Sequence, residues 1–349
     1  MQGQGGQVQL LGGKCPLPPT VPSWDARSSV GQPDLFVRTK SGKFHNVGNG
    51  GATIYYLQRR GRNQKVKLVP FPKGFRMLAG DPFLRSGSSA PEQRAISFAC
   101  LGGTTGQTPY LPDSKCPYGL RAQIIMPSCW NGVDLDSPNH RDHVAYPRGI
   151  DNGDCPQSHP HRFITLFYEF LYDVDRWDDE WVDGKHPWVL STGDPTGYGY
   201  HGDFFNGWDV DILNRAINEC NDPYGVIENC PVLDLYSNGQ MDDCVVPPSV
   251  AEPVTGFLDN LPGCNPIQPG PGRAVPHTGC DAPTSFGPRK TYSTDVSARG
   301  WEYVDCAMYS PLSPFLPSRP SPHRVGLTVG KPATNWTTAR LRTDTQRGT

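Results

Sequence analysis

Arg162-Phe-Ile-Thr-Leu-Phe-Tyr-Glu-Phe-Leu-Tyr172 reads as a β-strand, because aromatic and β-branched residues suit a pleated, packed surface. Its one carboxylate, Glu169, marks one face of that strand as polar. Working outward, Asp34-Leu-Phe-Val-Arg38, Thr53-Ile-Tyr-Tyr-Leu57 and Lys65-Val-Lys-Leu-Val69 are short runs of the same kind, bounded by Gly or Asn. Arg94-Ala-Ile-Ser-Phe-Ala-Cys100, Arg121-Ala-Gln-Ile-Ile-Met126 and Trp188-Val-Leu190 extend the series. Short strands separated by turn-rich loops predict a mainly β fold. The expected form is a β-sandwich or jelly-roll-like domain with long loops, few short helices and several disulfides. One helix is expected, from Asp209 to about Asn221. Asp209 can cap it, and Val210, Leu213, Ala216 and Ile217 share one face.

Composition agrees with that class. The 39 glycines and 37 prolines exceed a fifth of the 349 residues, which favours turns and irregular strands over long helices. A hydrophobic content of 36% still allows a core. A net charge of −2 provides no global field for nucleic acid or an anionic membrane. No run of 18 apolar residues is present, so no membrane span is expected. The eleven cysteines lack the CxxC spacing of metal clusters and read as disulfides of an oxidising compartment. Cys220 and Cys230 are the expected pair, since they close a short loop after the helix. Asn335-Trp-Thr is a glycosylation sequon.

Asp194-Pro-Thr-Gly-Tyr-Gly-Tyr-His-Gly-Asp-Phe-Phe-Asn-Gly-Trp-Asp209 is the stretch richest in chemistry. It reads as a loop in which glycine-permitted turns hold aromatic and ionisable side chains, as binding clefts often do. Two further segments carry histidines: His140 and His143, three apart, and His159 and His161, two apart. Imidazoles at such spacing can ligate one metal or share a cleft. The three segments are therefore expected to converge on one site. Asp194, Asp203 and His201 are the catalytic candidates. His140, His143, His159, Arg162, Tyr198, Tyr200 and Trp130 are the substrate-binding candidates, with aromatic faces for sugar stacking. Asp136 and Glu169 are further carboxylates. The bland alternatives are that Asp194 only starts a turn, that the histidines brace loops, and that Trp208 belongs to the core. GxSxG, Walker A and dinucleotide motifs are absent from the sequence.

These segments resemble a fungal secreted family of unknown function, DUF1996. The resemblance rests on Tyr55-Tyr-Leu-Gln-Arg-Arg60, Gly74-Phe-Arg-Met-Leu-Ala-Gly-Asp-Pro82, Cys116-Pro-Tyr-Gly-Leu-Arg121 and Pro127-Ser-Cys-Trp130. Leu135-Asp-Ser-Pro-Asn-His140, His143-Val-Ala-Tyr-Pro147, Cys155-Pro-Gln-Ser-His159 and Gly193 through Asp203 complete it. The implied organisation is a poorly ordered, unrelated segment at 1–33, a DUF1996-like β domain at 34–266, a linker at 267–299 and a tail at 300–349. Gly300-Trp-Glu-Tyr-Val-Asp-Cys306 resembles the opening of a WSC module, a cysteine-rich domain linked with fungal cell-wall glycans. Members of the family typically carry a signal peptide and a His-x-His followed by paired glycines, which the first 33 residues lack. The resemblance implies an extracellular protein, with the leader lost through N-terminal truncation, and supplies no reaction.

The leading expectation is a carbohydrate-active protein that hydrolyses cell-wall polysaccharide through loop carboxylates. The alternatives are a noncatalytic wall-glycan-binding protein and a metal-dependent enzyme with His140, His143, His159 and His201 as ligands. No metal or other cofactor is assigned. The expected partner is a polysaccharide or cell-wall glycan rather than nucleic acid.

Overall fold

A computed structural model describes residues 9–10, 29–62, 65–221, 227–233 and 252–277 of the chain. It is mainly β, as its sequence predicts. The central sheet runs in the order β5 (Asn49–Leu57), β13 (Thr165–Tyr172), β9 (Leu120–Ile125), β8 (Ile96–Cys100), antiparallel throughout. The stretch that opened the reading is thus its inner strand β13. Period-two alternation sends Leu166, Tyr168, Phe170 and Tyr172 into the core, beside Ile54, Tyr56, Ala122 and Ile124 of its neighbours. Phe167 and Glu169 turn the other way and are only half-buried.

Facing it is a second sheet, ordered β1 (Gln9–Leu10), β2 (Ser29–Gly31), β15 (His201–Phe205), β7 (Arg76–Gly80). The two layers meet closely at Gly202. A Cβ there would lie 2.9 Å from Ile124 Cδ1, closer than carbon atoms tolerate. The glycine that made 194–209 look like a loop is instead what lets a strand lie against its neighbour sheet. Residues 201–205 are therefore strand rather than loop, a correction to the sequence reading. Phe204 and Tyr200 fill the space between the layers, Tyr200 5.3 Å from Phe98.

Two smaller sheets flank this sandwich. One is ordered β11 (Val144–Ala145), β10 (Cys129–Trp130), β12 (His161–Phe163), β6 (Leu68–Val69), in which β12 and β6 pair in parallel. The other is ordered β14 (Trp188–Leu190), β3 (Leu35–Arg38), β4 (Phe44–Asn46), β16 (Phe257–Leu258). The single strand expected over 162–172 is thus two strands in different sheets, with Ile164 at the corner. Both sides of that corner are buried, so composition runs through it unbroken. Residues Pro91–Arg94 form a helical turn, α1, opened by its proline, where the strand was expected to begin.

The expected helix is α2 (Val210–Glu219). Asp209 Oδ1 accepts from the amides of Asp211 and Ile212, both at 3.0 Å, and Leu213, Ala216 and Ile217 are buried. Cys220 is bonded to Cys230, as expected, and Cys100–Cys116 and Cys129–Cys155 are also disulfides. Cys264 is disulfide-bonded as well. Cys15, Cys244, Cys280, Cys306, the sequon and the WSC-like segment lie outside the described residues.

Residues 267–277, which read as linker, lie against the domain. Gln268 donates its amide to Gly193 O at 2.9 Å, and Ala274 donates to Phe83 O at 2.8 Å. A Pro- and Gly-rich segment is held in place here because its backbone groups find partners. At the other end, Gln32 is buried and accepts hydrogen bonds from the hydroxyls of Tyr172 (2.8 Å) and Tyr200. The last residues of the expected 1–33 segment therefore belong to the fold.

Candidate functional site

The histidine segments meet beside β7, the last strand of the second sheet. Asp203 and Leu78 are directly opposed across β15 and β7. On the far side of β7, Leu78 donates its amide to His140 O (2.9 Å) and Arg76 donates to Leu135 O (3.0 Å). Segment 135–140 thus runs along β7 as an irregular extra edge. His140 lies two strand spacings from Asp203, about 10 Å at the backbone. The third segment joins through His159, whose Nε2 donates to Asp142 O at 3.1 Å. Segments 136–143, 159–162 and 201–205 form one contiguous region.

Within it the side chains divide sharply. His140 has φ of +56°, a left-handed conformation unusual for a residue with a Cβ. Its Nδ1 lies 2.6 Å from Asp136 Oδ1. A carboxylate can only accept, so Nδ1 carries the proton and Nε2 is the basic nitrogen when the ring is neutral. Nε2 makes no hydrogen bond among the described residues. His140 is thus an imidazole oriented by a carboxylate, with its reactive nitrogen open. Asp203 is exposed, and its carboxylate makes no hydrogen bond or ion pair among the described residues. Arg76 lies over the Phe205 ring, 5.1 Å from its centroid, on the same side of the sheet as Asp203.

His143, three residues on, does the opposite. It is buried, with Nε2 donating to Arg76 O (2.6 Å) and Nδ1 beside Ser137 Oγ (2.9 Å). Burial lowers its pKa, which favours the neutral ring. The Ser137 hydroxyl also accepts from the amides of Arg141 and Asp142, each at 3.1 Å, and so organises the turn that aims His140.

Asp194 is fully buried. Its Oδ1 accepts from the Thr196 amide (2.7 Å) and hydroxyl (2.6 Å), and Oδ2 accepts from the Gly199 amide (2.7 Å). A Cβ at Gly199 would meet Arg85 and this carboxylate, so only glycine fits. Arg85 Nε stands 3.7 Å from Asp194 Oδ1, with both side chains no more than 1% exposed. Arg85 also donates to the carbonyls of Pro82, Leu84, Thr192 and Gln268. Asp194 and Arg85 form a sealed knot that sets the loop.

Five of the sequence candidates are buried. Asp194, His143, His201, Arg162 and Tyr200 are each 3% exposed or less. His201 points Nδ1 at Gly199 O (2.9 Å). Arg162 donates to Arg59 O and Gly153 O, each at 3.0 Å, under the Cys129–Cys155 bridge. Burial pulls its pKa down to about 10. Trp130 is half-buried, stacked on Phe163 with Nε1 bound to Asp134 O (2.7 Å). Tyr198 is half-buried and pairs with Tyr110 at 5.9 Å. Trp208 is core and donates to Tyr56 OH at 2.7 Å.

Sequence reasoning did not single out Arg76 or Arg85, and counted Phe205 only among the aromatics of the 194–209 stretch. Alternation along β15 and β7 would have placed Arg76 and Phe205 beside Asp203, had 201–205 been read as strand; nothing local marked Arg85. Among the described residues, no group of three or more His, Cys, Asp or Glu side chains is placed to hold a metal ion. No helix among them is long and apolar enough to cross a membrane.

The fold and site define a β-sandwich domain with an exposed Asp203 on an inner strand and a carboxylate-oriented His140 beside the neighbouring edge strand. The model of a family described as a domain of unknown function, DUF1996, matches residues 22–208, more than half of the chain, and the chain belongs to that family. No curated protein and no solved structure matches it. The folded unit continues past the match, since α2 packs into the same core and β16 pairs with β4.

Proposed function

We propose that this protein is a secreted carbohydrate-active enzyme that hydrolyses glycosidic bonds of cell-wall polysaccharide. The observation that carries the reading is the carboxylate-oriented His140 beside the edge strand β7, together with the bare Asp203 on the adjoining inner strand β15. In this scheme the Asp203 carboxylate takes a proton from water as its oxygen bonds the anomeric carbon. The His140 imidazolium, steadied by Asp136, gives its Nε2 proton to the departing glycosidic oxygen. Arg76 and Phe205, on the same side of the sheet as Asp203, supply a donor and an apolar ring suited to a sugar. The disulfides support an oxidising, extracellular setting.

The test is reducing-sugar release from a panel of wall polysaccharides by the full chain and by Asp203→Asn. The variant is expected to fall by about 10²–10⁴-fold, with unchanged thermal stability. Hydrolysis by Asp203→Asn at the parental rate would overturn the assignment.

A further inference from the structure

The outer side of the central sheet carries a second set of groups that the catalytic scheme does not use. Outward-facing strand positions are usually solvated, mobile and charged. Here they are knitted together across four strands. Ser97 on β8 donates to Gln123 Oε1 on β9 (3.3 Å), and Gln123 Nε2 donates to Glu169 Oε1 on β13 (3.0 Å). Tyr55 on β5 donates its hydroxyl to Glu169 Oε2 (2.8 Å). Arg121 Nε lies 3.3 Å from Glu169 Oε1. Ion pair and hydrogen bonds hold the row in one arrangement, and the strands that carry it are inner or paired members of a sheet. Such a base positions side chains more tightly than a loop does.

Two features give the row an outward purpose. The Arg121 side chain is 32% exposed, and neither of its terminal Nη atoms has a protein partner among the described residues. A planar donor fork is thus left facing solvent. Beside it, the half-buried rings of Tyr55 and Phe167 lie 5.5 Å apart, tilted by 32°. They form an apolar platform in line with the polar row, and the Tyr55 oxygen keeps lone pairs to accept from a ligand hydroxyl. Apolar ring faces next to fixed donors and acceptors match a pyranose, which has apolar C–H faces and a hydroxyl rim. Glu169 and Arg121 cancel in charge, so the surface favours a neutral sugar over a polyanion.

We infer that the outer face of β5, β13 and β9 is a binding surface for a neutral saccharide, with Tyr55 and Arg121 as the direct contacts and Glu169 and Gln123 as positioning residues. The surface borrows its ligand class from the glycan reading above but shares no residue with that site. It would hold a polysaccharide chain while the second sheet acts on it.

The experiment is calorimetric titration of the full chain with a neutral hexasaccharide of β-linked glucose, and separately with a hexauronate. The neutral sugar is expected to bind. Tyr55→Ala and Arg121→Ala are each expected to weaken it by about tenfold or more, the loss of one stacking or charge-assisted contact. Asp203→Asn is expected to bind within about twofold of the parent. Tyr55→Phe and Arg121→Lys, with melting curves, separate lost contacts from lost folding. No binding of the neutral sugar, preference for the hexauronate, or parental affinity in all four face variants overturns the inference. Hydrolysis abolished by Asp203→Asn with parental affinity in the face variants would sink this proposal alone. Intact face binding with Asp203→Asn fully active would sink the catalytic assignment alone.

Discussion

Asp194 and Asp203 stand at the two ends of one short stretch and lead opposite lives. Asp194 is buried against Arg85, with backbone and hydroxyl donors on both oxygens. Asp203 leans into solvent with no hydrogen bond or ion pair among the described residues. A third carboxylate, Asp209, does neither and closes the first turn of α2. Three identical side chains thus serve as brace, open carboxylate and helix cap. What separates them is the backbone: a tight turn with inward amides, an outward strand position, and a helix start. The histidines repeat the lesson, with His143 sealed and His140 open three residues earlier.

The largest effect should come from breaking the sealed end. Asp194→Ala leaves Arg85 buried without its counter-charge and strips partners from Thr196 and Gly199. A loss of about 3–5 kcal/mol is expected in urea unfolding. Asp203→Asn in the same assay should stay within about 0.5 kcal/mol. Equal losses at the two positions would erase the contrast.

A second test uses acid on the sealed histidines. Burial lowers the His186 pKa from 6.5 to about 4, against the opposing pull of Asp113. Its Nδ1 accepts from the Trp188 amide at 3.1 Å, a bond that protonation would remove. The folded state therefore holds the ring neutral, while the unfolded chain protonates near pH 6.5. Stability should be full above that pH and fall by about 3 kcal/mol as pH drops toward 4. His143 shifts in the same direction and adds to the fall. Asp81 and Asp113 have lowered pKa values, so their contributions are lost only below the usual carboxylate range. Urea midpoints at pH 7 and pH 4.5 read the histidines, and a flat profile would show that they are not sealed. His186→Gln should remove much of the slope.

The smallest effect belongs to the cap. Asp209→Ala should cost about 1 kcal/mol, by loss of the two amide bonds at the start of α2. A larger loss, comparable with Asp194→Ala, would mean that Asp209 braces more than its own helix.

Much of the fold was legible because strand and cap signals are local. β13, β5, β3 and β14 follow from aromatic and β-branched runs, and Asp209 with the Leu213–Ile217 face follows from helix periodicity. β7 was missed because Arg76-Met-Leu-Ala-Gly80 is short and ends in the turn before Asp81. β15 was missed because Gly202 looked like a turn former, whereas its purpose is contact with Ile124 on another sheet. For the candidate site, the sequence supplied the residue types and the three segments. It could not say which of two histidines three apart would face outward.

By itself, then, the sequence determined a mainly β, disulfide-linked domain, the capped helix, the Cys220–Cys230 pair and membership of one family, because these rest on neighbouring residues and on pattern. Tertiary structure alone decided that Asp194 is sealed while Asp203 is open, that His140 is aimed by Asp136, and that Glu169 joins Tyr55, Gln123 and Arg121 into one row. Those outcomes depend on which strand lies beside which, and burial and hydrogen-bond partners are set across the sheet, not along the chain.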